Sequence, residues 1–117
     1  MDMSLFKKID VKVNTPSRGK YIRIKKNGSI IFFSAEVVEA ANLKPNDKVD
    51  LYRFGHTFAF KKENAGVMSI GKVTKSSHQL CIRNKSAYLE IAPFSKGQTI
   101  LDAWVEDGVI FFKPKEV

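Results

Sequence analysis

The chain holds one cysteine, Cys81, among its 117 residues. A lone thiol excludes an intramolecular disulfide and with it the scaffold of small secreted domains, so the expectation is a reducing cytoplasm. Apolar runs are short. None approaches the roughly 20 residues needed to cross a bilayer, and the start Met1-Asp2-Met3-Ser4 lacks the long apolar region of a signal peptide. Histidine is scarce too: His56 and His78 both fall in expected turns, and no cluster with Cys81 offers the three or four ligands that a metal requires. Neither a phosphate-cradling glycine loop nor a nucleophile elbow occurs, and Asp47, Asp50, Asp102, Glu106 and Asp107 read as solvated turn carboxylates. The expectation is therefore no enzyme, no cofactor and no metal.

Acidic residues are also few, 12 against 20 lysines and arginines, for a net charge of +8. Clustered positive charge gains affinity for polyanions by releasing their condensed counterions. The charge is unevenly spread. Residues 1–66 hold 13 basic and 7 acidic side chains, while residues 67–117 hold 7 and 5. Over residues 7–26, Lys7, Lys8, Lys12, Arg18, Lys20, Arg23, Lys25 and Lys26 stand against Asp10 alone. Ordinary solubility is the alternative meaning of this excess.

Hydrophobic residues make up 44% of the sequence, enough for one modest core to which both halves contribute. Ile9, Val11 and Val13 alternate with Asp10, Lys12 and Asn14, the period of a half-buried strand at about 8–14, which Thr15-Pro16-Ser17-Arg18-Gly19 ends. Tyr21 to Lys26 gives a second strand, with Tyr21, Arg23 and Lys25 on one face. Asn27-Gly28 predicts a two-residue type I′ hairpin turn into Ser29 to Phe33, a strand expected to be buried on both faces. Ser34 is placed to cap a short helix over about 35–41, which Asn42 closes and Pro45 prevents from continuing. A hairpin across Gly55-His56 follows, then a linker at Glu63-Asn64-Ala65-Gly66.

From there the layout restarts. A strand is expected over 67–75, His78-Gln79 stands where Asn27-Gly28 stood, and Leu80 to Arg83 returns. A helix at about 86–92 and a hairpin across Asp107-Gly108 complete the second copy. An internal repeat of this kind governs the fold. The prediction is one domain spanning 1–117, mostly β with two short helices, built from repeats at about 20–63 and 70–114 behind the N-terminal strand. Phe32, Phe33, Phe54, Phe58, Phe60, Phe94, Phe111, Phe112 and Trp104 are assigned to core packing, and Cys81 to a small buried apolar position.

The run Ala40-Ala41-Asn42-Leu43-Lys44-Pro45-Asn46-Asp47-Lys48-Val49 resembles the helix end and third-strand entry of the swapped-hairpin AbrB-like family, which includes AbrB, SpoVT and the MazE antitoxin. Glu106-Asp107-Gly108-Val109-Ile110-Phe111-Phe112 resembles its last hairpin, and the matches together span about two-thirds of the chain. Departures stand at Ser34 and Lys85, where the family usually has proline, and at Ser29, where it often has arginine. The resemblance implies a duplicated swapped-hairpin β-barrel, closed within one chain as a pseudo-dimer in an MraZ-like or double-psi-like manner, or else paired as a homodimer. It also implies double-stranded DNA as partner, and a bacterial or phage transcriptional regulator or architectural protein. The implied DNA face takes Arg23, Lys25, Lys26 and Ser29 from the first copy and Lys72, Lys75 and Arg83 from the second, with Lys20 and Arg18 extending it. Arg23 is the expected base contact. Two other readings stay open: these lysines protect a solvated edge strand, or the barrel is a protein-interaction scaffold, antitoxin-like or phage-structural, that binds no nucleic acid.

Overall fold

Period-two alternation divides nearly every strand of this chain into a core side and a solvent side, and the resulting layers set the architecture. The computed structural model describes residues 19–115. The strand predicted over 8–14 lies outside the described residues, as does Arg18. In chain order the elements are β1 (Tyr21–Lys25), β2 (Ile30–Phe33), α1 (Ala35–Ala40), β3 (Lys48–Phe54), β4 (Thr57–Lys62), β5 (Met68–Ser69), β6 (Gly71–Lys72), β7 (Leu80–Arg83), α2 (Lys85–Ile91), β8 (Ile100–Glu106) and β9 (Val109–Lys113). A 3-10 turn, Ala92–Phe94, extends α2. The protein is thus mostly β with two short helices.

All described strands belong to one antiparallel sheet in the order β5-β3-β4-β9-β8-β1-β2-β7-β6. Its two end strands, β5 and β6, are consecutive in the chain and separated only by Ile70, so the sheet curls into a nearly closed barrel. Closure of this kind leaves little edge for unwanted pairing. The two halves interleave. β1 pairs with β8 from the other half, while β5 pairs with β3. The Ile24 N–H donates to the Thr99 carbonyl at 2.8 Å, and the Ile70 N–H donates to the Asp47 carbonyl at 2.9 Å, which are like contacts in opposite halves.

Inner positions form one core. Ile22, Ile31, Phe33, Phe58, Phe60, Ile82, Leu101, Ile110 and Phe112 are buried there, beneath Val37 of α1 and Ile91 of α2. Phe112 stacks on Phe58 and Phe60, and Phe33 meets Phe60 edge-on at 5.5 Å. Truncating such a ring to alanine costs about 3–5 kcal/mol. Each helix starts on a polar side-chain cap: Ser34 accepts from the Val37 N–H, and Asn84 from the Ala87 N–H. After α1, Asn42 and Asn46 take positive φ angles of 50° and 74°, and Asp47 Oδ2 accepts from the Lys44 N–H at 2.8 Å, fixing the loop into β3.

Several details depart from the sequence expectations. The strand expected over 67–75 breaks at Ile70, because this residue still bonds to Asn46 and Asp47 whereas Gly71 and Lys72 have moved to β7. The last β1–β2 pair is Lys25↔Ile30, which leaves a four-residue connection in place of a two-residue type I′ turn; Gly28 and Ser29, not Asn27, take positive φ. Phe54 is 90% exposed at the β3–β4 hairpin end and is no core residue. Its parity explains this: Val49 is in the core and Leu51 packs against it, so Asp50, Tyr52 and Phe54 share the outer side. Trp104 and Phe111 likewise lie half-buried on the outer side and stack on each other, outside the core.

Candidate nucleic-acid interface

The outer faces of β1, β2, β7 and β6 bring basic residues from both halves into two neighbouring rows. The first row runs Ile100, Arg23, Phe32, Cys81, Gly71, as the ladder registers fix it. The second runs Lys25, Ile30, Arg83. Adjacent strands lie roughly 4.8 Å apart, so the backbones at Lys25 and Arg83 are about 10 Å from each other. Neither row contains an acid; Asp102, opposite Tyr21, is one row further along.

The two arginines are held in different ways. Arg23 lies over the ring of its cross-strand neighbour, with its guanidinium carbon 4.0 Å from the Phe32 centroid. Arg83 crosses toward β6, where Nη1 donates to the Lys72 carbonyl at 3.3 Å and Nη2 to the Val73 carbonyl at 2.8 Å. Gly71, opposite Cys81, leaves the space beside it open. Cys81 itself is buried beneath this surface, as expected. Burial pushes its thiol above the ordinary value, and the nearby Arg83 charge pulls partly back.

Lys25 and Lys26 are exposed where β1 turns into β2. Ser29 is tied into that turn: its N–H donates to the Lys26 carbonyl at 3.1 Å, and its own carbonyl accepts from the Asn84 N–H at 3.2 Å. Lys72 is exposed on β6, and Lys75 sits in the 73–79 loop, which is longer than its first-half counterpart. Lys20 precedes β1 and is paired through its carbonyl to the Ala103 N–H. Lys20 and Lys75 therefore lie toward one end of the β1–β2–β7 ladders, and Lys25 and Lys26 toward the other. Among the described residues, the ion pairs are Lys61 with Glu63 and Lys62 with Asp47, so no described basic residue of the predicted face is paired with a described carboxylate.

Phe32 is buried, as its apolar run predicts, but on the outer side of the sheet, where it is the platform under Arg23. Strand parity carried the signal: Phe32 falls between the core residues Ile31 and Phe33 and must face the other way. Arg83, read as a counterpart of the first-copy lysines, instead bridges β7 to β6. No group of three or more His, Cys, Asp or Glu able to hold a metal occurs among the described residues. Comparison with protein-family models, with curated proteins and with solved structures returns no match, so the case for this surface is carried by its own geometry.

Proposed function

We propose that this chain binds double-stranded DNA through the outer face of β1, β2, β7 and β6, as a regulator or architectural protein that performs no chemistry. The observation that carries this reading is the acid-free pair of rows in which Arg23, Lys25 and Arg83 are drawn together from both halves. Lys26, Lys20 and Lys75 extend the positive surface along the same strands, Lys72 stands exposed at the β6 edge opposite the core residue Leu80, and Ser29 shapes the turn that presents Lys26. A twisted face of this kind sets cations against phosphates, the source of most non-specific affinity. The interleaved pairing of β1 with β8 and of β5 with β3 supports a duplicated swapped-hairpin relation to the AbrB-like family.

The test is titration of a fluorescent duplex with the full chain at two salt concentrations. Binding should weaken steeply with salt, and Lys26→Ala should lower the magnitude of the log–log slope by about one unit. Absence of duplex binding at low salt, together with recovery of one stoichiometric protein partner free of nucleic acid, would favour the scaffold reading in its place.

A further inference from the structure

A second surface is built from the outer positions of β3, β4, β9 and β8. Their registers set Tyr52, Ala59, Phe111 and Trp104 in one row, with the solvent-facing Phe54 in the row beside it. The Trp104 and Phe111 rings stack with centroids 5.6 Å apart. Both rings are half-buried, and Lys113 leans over Trp104 with its Nζ 5.8 Å from the ring centroid, yet each keeps an outward part open among the described residues. Nor does the strip suit a polyanion: Asp50 faces Lys61 and Asp102 faces Lys113 across the ladders, and Glu106 and Asp107 add unbalanced negative charge at the hairpin end.

The chain itself arrives at this strip. The Ala103 N–H donates to the Lys20 carbonyl at 3.2 Å, which places the first described residues beside Trp104. Beyond that point Trp104–Glu106 has no ladder partner on the β1 side among the described residues. Eighteen residues precede Gly19. Fully extended they reach roughly 60 Å, while the strip is only about 15 Å wide at three strand spacings. Their sequence offers what the strip lacks: Ile9, Val11 and Val13 recur at every second position, and Lys7, Lys8 and Lys12 outnumber the acids Asp2 and Asp10. A second copy of the chain fits less well, since a strip about 15 Å wide on strands of at most 7 residues is well under the ~800 Å² per partner of a stable complex.

We propose that the aromatic strip is the docking site of this chain's own N-terminal segment, with Ile9, Val11 and Val13 against Trp104 and Phe111 and the segment's lysines toward Asp102 and Glu106. Trp104 is the single tryptophan, so its fluorescence reports the strip directly. The experiment compares the full chain with a variant carrying Ile9→Ser, Val11→Ser and Val13→Ser, which leaves every described residue intact. The expected result is a red shift of emission and stronger acrylamide quenching in the variant, with wild-type protection unchanged across a wide dilution series. Identical emission and quenching in the two proteins would overturn the proposal. So would wild-type protection that disappears on dilution, which would assign the strip to a second copy.

Discussion

The Arg23 guanidinium rests 4.0 Å from the centroid of the Phe32 ring, its partner across the β1–β2 ladder. The side chain therefore lies along the sheet and does not stand away from it. A bidentate fork to guanine needs an arginine edge aimed into the groove, whereas a phosphate can be met by any outward N–H. Arg83 has already committed donors of both Nη atoms to carbonyls. The expected outcome is weak sequence discrimination: unrelated duplexes of equal length should compete within about tenfold of each other at fixed salt, less than the 10³-fold or more of specific binders. Competition titration with a panel of duplexes checks this.

Replacing Phe32 by leucine keeps an apolar residue but removes the platform. With the Phe32 ring buried, the cation–π contact is worth about 1–2 kcal/mol. Duplex affinity should fall by a few-fold, with the salt slope unchanged because the charge remains. Arg23→Ala should lower both. Parallel titrations of the two variants separate positioning from charge.

Ser34 is 2% exposed and accepts two backbone N–H groups, from Tyr21 at 3.1 Å and Val37 at 3.3 Å. Its hydroxyl thus joins a helix cap to the start of β1. Asn84 accepts only the Ala87 N–H among the described hydrogen bonds. Ser34→Ala should cost about 2–3 kcal/mol and Asn84→Ala about 1 kcal/mol, as chemical denaturation would measure.

Gly66 has ordinary backbone angles but no room. A Cβ there would come within 2.7 Å of the Val49 nitrogen and 2.9 Å of its carbonyl carbon and oxygen, all backbone atoms that cannot rotate away. Gly66→Ala should destabilise by about 1–3 kcal/mol through forced displacement of β3. Gly71→Ala, where a Cβ meets nothing within 4 Å, serves as the contrast in the same denaturation experiment.

Burial raises the Cys81 thiol above its value in the unfolded chain, so the folded state holds the proton more tightly. Stability from this group is complete below the unfolded thiol's range and is lost as pH rises through the folded value. Wild-type stability should therefore decline with pH above about 8.5, more steeply than that of Cys81→Ala. Denaturation midpoints from neutral to alkaline pH give the comparison.

Much of this architecture was legible from period two alone. Ile22 and Ile24 against Arg23 and Lys25, or Phe58 and Phe60 against Lys61, announce both the strand and its faces. The same rule, applied strictly, would have placed Phe54, Phe111 and Trp104 outside; the apolar runs around them hid it. What could not be read was which strands meet. The Ile22↔Leu101 and Val49↔Met68 pairings join distant segments by packing, and no local pattern encodes them. The candidate site was visible as a set of charges near β1. That Arg23 lies down on Phe32 and that Arg83 reaches back to Lys72 and Val73 depend on the β2–β7 and β6–β7 registers, hence on the fold as a whole.

Ile70, the residue between the two end strands of the sheet, acts as the seam of the molecule. β5 answers to β3 and β6 to β7, and the sheet between these ends closes only when β1 meets β8, β2 meets β7 and β4 meets β9, pairings that join the two halves. The β1–β2, β3–β4 and β8–β9 hairpins can pair locally, but the outer edges of each are satisfied only by strands from the other half. Folding should be slow and all-or-none, as topologies dominated by non-local pairing are, and a nascent chain gains little order until the last hairpin has emerged.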